Sequence, residues 1–88
     1  MEKLKIGNTI KKLRTGKNLT LTELSRRSGI HLATLSRMEN NKTTGSMESH
    51  SELAYVLGLK LSEFIQECEK DQLESDEIEL MEVFVGAN

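Results

Sequence analysis

Leu21–Asn40, LTELSRRSGIHLATLSRMEN, reads as a helix, a tight turn and a second helix. Leu24 begins the inward set and the small Ser25 follows it. Beyond the turn, Ile30, Leu35 and Met38 resume the inward face. Gly29 stands at the junction, where a sharp reversal needs a positive backbone dihedral that glycine adopts most readily. A helix-turn-helix of this size is suited to laying its second helix in a DNA major groove.

The flanking residues extend the pattern. Thr20 and Glu23 form the S/T-x-x-E pattern of a capping box, and Leu19 and Leu24 are spaced as a hydrophobic staple. A first helix is expected from about Glu2 to Thr15, from Ile6, Ile10 and Leu13 at helical spacing and Gly16 as a stop. Lys3, Lys5, Lys11 and Lys12 would line its outside. The third helix should end near Asn40, before the polar loop Asn40–Gly45. Ser46 is placed to cap a fourth helix from about Met47 to Leu57, with Gly58 beyond it. A fifth should begin near Leu61, with Leu61, Phe64, Ile65 and Cys68 as its stripe. In the tail, Ser75 would cap a separate short helix with Ile78, Met81 and Val85 on one face. The alternation through Ile78, Leu80, Val83 and Val85 also admits a strand.

Charge divides the 88-residue chain unevenly. Eleven Lys/Arg against five Asp/Glu give residues 1–60 a net +6, while one Lys against nine Asp/Glu gives residues 61–88 a net −8. A basic body with an acidic tail suits a nucleic-acid binder whose last segment faces elsewhere. The single Cys68 forms no internal disulfide, which fits a cytoplasmic location. No run is apolar enough to span a membrane, and no signal-peptide pattern is present. No Cys/His spacing suggests a metal site, and no cofactor is expected. Ser25, Ser28 and Ser36 lack a matching His/Asp arrangement, so no catalytic nucleophile is expected. Cys68 on an apolar stripe reads as core, and His50 as a buried or half-buried histidine with a hydrogen-bond partner.

The chain resembles the phage Cro and repressor proteins, the XRE-type helix-turn-helix family, from about Lys5 to Ile65. The resemblance rests on Ile10, Leu13-Arg14, Leu19-Thr20, Glu23-Leu24-Ser25, Gly29-Ile30, Thr34-Leu35-Ser36-Arg37 and Glu39-Asn40. Leu53-Ala54, Leu57-Gly58 and Leu61-Ser62-Glu63-Phe64 complete it. It implies an all-α, compact five-helix, lambda-repressor-like DNA-binding domain over residues 1–70. Residues 71–88 would form an acidic extension, a short helix or strand.

The same resemblance implies base contacts from Leu32, Ala33 and Arg37, with His31 at the helix start. Arg37 is the candidate for bidentate guanine recognition, and Leu32 and Ala33 for thymine methyl contact. Phosphate contacts are expected from Thr20, Thr22, Asn40, Lys42, Thr43 and Thr44, near helix ends and in the loop. Leu21 stands where the family often has a phosphate-binding glutamine, so either Thr22 or Lys17 substitutes or one contact is missing. Arg14 and Glu39 match a family ion pair. Ile78, Leu80, Met81, Val83, Phe84 and Val85 are expected to pack on the body or on a second subunit and to favour dimerisation.

The expected function is a sequence-specific transcriptional regulator, a repressor binding double-stranded operator DNA as a homodimer. One alternative is an antitoxin that represses its own operon and holds a toxin through its tail. Another is a protein-interaction module without DNA binding.

Overall fold

The computed structural model describes residues 4–86, with side chains through Met81. Five helices follow in order: α1 (Gly7–Gly16), α2 (Leu21–Ser28), α3 (Leu32–Glu39), α4 (Met47–Val56) and α5 (Leu61–Gly86). There is no strand among the described residues. This is the all-α, lambda-repressor-like arrangement. Ile6, Ile10, Leu19, Leu24, Leu35, Met38, Leu53, Ala54, Leu57, Phe64 and Cys68 form one core to which every helix contributes. Packing of α2 on α3 and α4, and of α1 on α3 and α5, closes it.

Local chemistry sets most boundaries. Thr20 Oγ1 accepts from Glu23 N at 3.1 Å at the start of α2, and Ser46 Oγ accepts from Ser49 N at 3.1 Å at the start of α4. Glu23 Oε1 accepts from the Thr20 hydroxyl, so the return arm of the capping box ends on the side chain rather than on the backbone. Gly29 takes φ +76° and closes α2.

The first helix starts later than the apolar spacing suggests. Leu4–Ile6 are not helical, and Lys5 therefore precedes α1 rather than lining it. Ile6, at the cap position, has no side-chain acceptor. Instead Asn41 Oδ1 accepts from Gly7 N at 2.9 Å, a cap supplied from 34 residues away. Tertiary structure therefore decides this terminus.

The tail is helical, as one of the two expected forms, but it is not a separate element. α5 runs 26 residues without a break at Ser75. No Gly or Pro interrupts it there, and Gln72 Nε2 donates to Asp76 Oδ1 at 3.0 Å across the position. The strand alternative does not form. Ile78, Leu80 and Met81 do not pack on the body: they are 58%, 70% and 68% exposed. The side chains of Val83, Phe84 and Val85 lie outside the described residues. No helix among the described residues is long and apolar enough to cross a membrane.

The front of α5 is stapled to α1. Lys12 Nζ reaches Asp71 at 2.8 Å and Glu67 at 3.2 Å, and buried Thr9 Oγ1 donates to Asp71 Oδ2 at 2.7 Å. Lys12, read from sequence as one of an outward row of lysines, is thus tied to α5. The Asp71 carboxylate raises the Lys12 pKa. Burial alone would raise that of Asp71, but its hydrogen bonds from Lys12 and Thr9 outweigh burial and lower it. Cys68 is fully buried beside this staple, and burial pushes its thiol up to about 11. The thiol is core, as its place on the apolar stripe suggests.

Candidate nucleic-acid interface

The turn before α3 is held by short-range bonds. Gly29 N donates to Ser25 O, Ser25 Oγ donates to Ile30 O at 2.5 Å, and Ile30 N donates to Ser28 Oγ at 3.3 Å. Ser25 is small enough for the turn and belongs to the family motif. Its hydroxyl also fixes the carbonyl of the turn.

From that turn α3 presents two faces. Leu35 and Met38 are fully buried. His31, Leu32, Ala33 and Arg37 are exposed, Leu32 at 45%. His31 occupies the cap position without using its side chain as a cap. Arg37 forms no ion pair among the described residues. Ala33 and Arg37 lie one turn apart on the same face.

The far end of α3 is clamped to α1. Arg14 Nε donates to Glu39 Oε2 at 2.6 Å and Arg14 Nη2 to Glu39 Oε1 at 3.0 Å. Arg14 Nη1 also donates to Leu19 O at 2.8 Å. The side chains are only 13% and 8% exposed, and Glu39 raises the Arg14 pKa further. A second clamp was not legible in the sequence. Gly7 sits against the last carbonyls of α3, where a Cβ would overlap Glu39 O and stand 2.6 Å from Met38 O. The only sequence signal for it is a glycine at the edge of an apolar periodic stretch.

The expected phosphate residues are all exposed: Lys17, Thr20, Thr22, Asn40, Lys42, Thr43 and Thr44. Thr20 and Thr22 stand at the start of α2. Asn40, Lys42, Thr43 and Thr44 lie together in the α3–α4 loop. Asn40 Nδ2 donates to Ser36 O at 2.9 Å, and Thr43 Oγ1 accepts from Gly45 N at 3.4 Å. Lys17 lies just past α1, its exposed side chain running beside Gly58 with the ammonium 3.4 Å from where a Cβ there would stand. Leu21 is half-buried against the core, which explains an apolar side chain at that position.

Residues 10–64 match the family model described as Helix-turn-helix. The chain belongs to the Cro/repressor-type helix-turn-helix family. This family's motif is a DNA-binding device, and the chain is a DNA-binding transcriptional regulator rather than an enzyme. Solved structures of family regulators share its fold. The clp gene regulator ClgR from Corynebacterium glutamicum is 22% identical, with a TM-score of 0.81 over 97% of this chain and 92% of ClgR. The biofilm master regulator SinR, crystallised in complex with DNA, is 30% identical, with a TM-score of 0.64 over 68% of this chain and 97% of SinR. A SinR protein/SinI protein complex gives 24% identity and a TM-score of 0.66 over 93% and 92% of the two chains. No curated protein matches the chain.

Proposed function

We propose that the chain is a repressor that binds a two-fold symmetric operator as a homodimer, with α3 in the major groove. The observation carrying this reading is the two-sidedness of α3. Its inner face is fully buried and its end is clamped by Arg14 and Gly7, while Arg37 stands free on the outer face. A rigid helix holding an unpaired guanidinium outward suits bidentate contact with guanine O6 and N7. His31, Leu32 and Ala33 complete the base-reading face. Lys17, Thr20, Thr22, Asn40, Lys42, Thr43 and Thr44 contact phosphate. The similarity to SinR, itself crystallised with DNA, supports the assignment.

Exposed Ile78, Leu80 and Met81 on α5 supply apolar surface for the second copy, with Val83, Phe84 and Val85 in the same segment. Pairing there would set two recognition helices about 34 Å apart, one turn of DNA. Selection from a random duplex pool tests the function. A palindromic consensus is expected, and failure to enrich any sequence over random DNA would overturn the operator reading.

A further inference from the structure

The loop between α3 and α4 carries four of the residues assigned to phosphate, and it is anchored at its α4 end. Gly45, at φ +76°, lies against Met38, where a Cβ would stand 2.7 Å from Met38 Cε. Ser46 caps α4. Between these anchors and Lys42, the Thr44 carbonyl bonds to His50 Nε2 at 2.5 Å. A carbonyl oxygen only accepts, so Nε2 is the donor. The contact therefore clamps the Thr44 carbonyl.

The clamp has a firm base. The His50 ring is half-buried, and its centroid lies 6.1 Å from that of Phe64, with the planes tilted by 47°. Phe64 is fully buried on α5. A line of contact thus runs from the core through an imidazole to the backbone of the loop. A loop held before binding loses less freedom when it closes on phosphate.

We propose that His50 is a positioning residue for DNA binding. It holds the Thr44 carbonyl and thereby presents Lys42, Thr43 and Thr44 to the phosphate backbone. This rests on the proposed phosphate role of the loop. His50 itself touches no DNA.

The test is the affinity of the full chain for a random-sequence duplex, measured by fluorescence anisotropy across a salt series. His50→Leu keeps apolar contact with Phe64 and removes the donor; His50→Gln keeps a donor. His50→Leu is expected to weaken binding about fivefold, the size of one net hydrogen bond, and to make the salt slope shallower. His50→Gln should stay within about twofold of the native chain, by the same estimate. Combined with Lys42→Ala, His50→Leu should add little further loss, because both act on one contact. His50→Met, a second donor-free filler, should behave as leucine does if the leucine chain fails to fold. Fully additive losses, or a glutamine variant as weak as leucine, would overturn the clamp and leave the loop reading standing. Native affinity and slope in Lys42→Ala alone would overturn the loop reading and the inference with it.

Discussion

Arg14 grips Glu39 with two nitrogens, at 2.6 and 3.0 Å, and spends a third on the carbonyl of Leu19. One side chain therefore ties the end of α3 to the entrance of α2. With so little of either side chain exposed, removing one partner leaves a desolvated charge, which costs more than the pair contributes. Arg14→Ala and Glu39→Ala should each lose about 1–3 kcal/mol in urea unfolding, with strong coupling in a double-mutant cycle. Coupling near zero would show that the pair does not hold α3.

Gly7 should tolerate no side chain. The two nearest atoms a Cβ would meet are backbone carbonyl oxygens, which cannot rotate away, and the third is Asn41 Oδ1 at 2.7 Å. Gly7→Ala would push α1 off the end of α3 and break the Gly7–Asn41 bond. A loss of about 1–3 kcal/mol is expected, the usual size for overpacking, although alanine is the better helix former. A gain in stability would contradict the close approach.

Arg37 and Lys42 should separate specificity from affinity. Arg37→Ala is expected to cost about 1–3 kcal/mol at one base pair of each half-site. Lys42→Ala should weaken cognate and random duplexes alike and reduce the salt slope. Equal losses on both duplexes for Arg37→Ala would remove its base-reading role.

The staple between α1 and α5 should open at the pH extremes. The Asp71 pKa is lowered in the folded chain, so its stabilisation is complete above the ordinary carboxylate value and lost as pH falls through the lowered one. The Lys12 pKa is raised, so its share is present below the ordinary lysine value and lost as pH rises through the raised one. Asp71→Ala should flatten the acid limb of a stability profile. It should also speed labelling of Cys68, whose buried, high-pKa thiol is expected to react slowly at pH 8 in the native chain. Unchanged labelling would show that the staple does not guard the thiol.

Self-association and DNA binding should respond to salt in opposite directions. The exposed apolar residues of α5 are interleaved with Glu74, Glu77 and Glu79, and no cation follows Lys70. Two copies paired here bring like charges together, a repulsion that salt screens. Phosphate contacts weaken with salt. Sedimentation should show tighter dimers as salt rises, and Leu80→Ser with Met81→Ser should abolish them. Dimers that persist in that double variant would place the interface elsewhere.

Features written in local chemistry were legible from the chain alone. Thr20 and Ser46 cap, Gly29 turns, and Leu24, Leu35, Met38 and Phe64 are core because each follows from neighbours a few residues away. The pairing of Arg14 with Glu39 was legible only through the family resemblance. What stayed hidden depends on distant partners. Asn41 caps Gly7, Thr9 finds Asp71 62 positions on, and His50 bonds a carbonyl that every residue possesses. Ser75 resembles a cap, yet nothing on its N-terminal side stops the helix that reaches it.

The unbroken run of α5 makes it a rotary coupling. Its first half is bolted to the core through Phe64 and Cys68, and its second half carries the apolar residues outward. Every residue inserted between them turns the far end by about 100° and advances it about 1.5 Å. One added alanine after Ser75 would swing the proposed pairing face to the side of the molecule, whereas four would return it nearly to its original bearing. If the chain pairs through this segment as proposed, the spacing of its two recognition helices is a matter of angular phase, set by the residue count of α5 rather than by linker length.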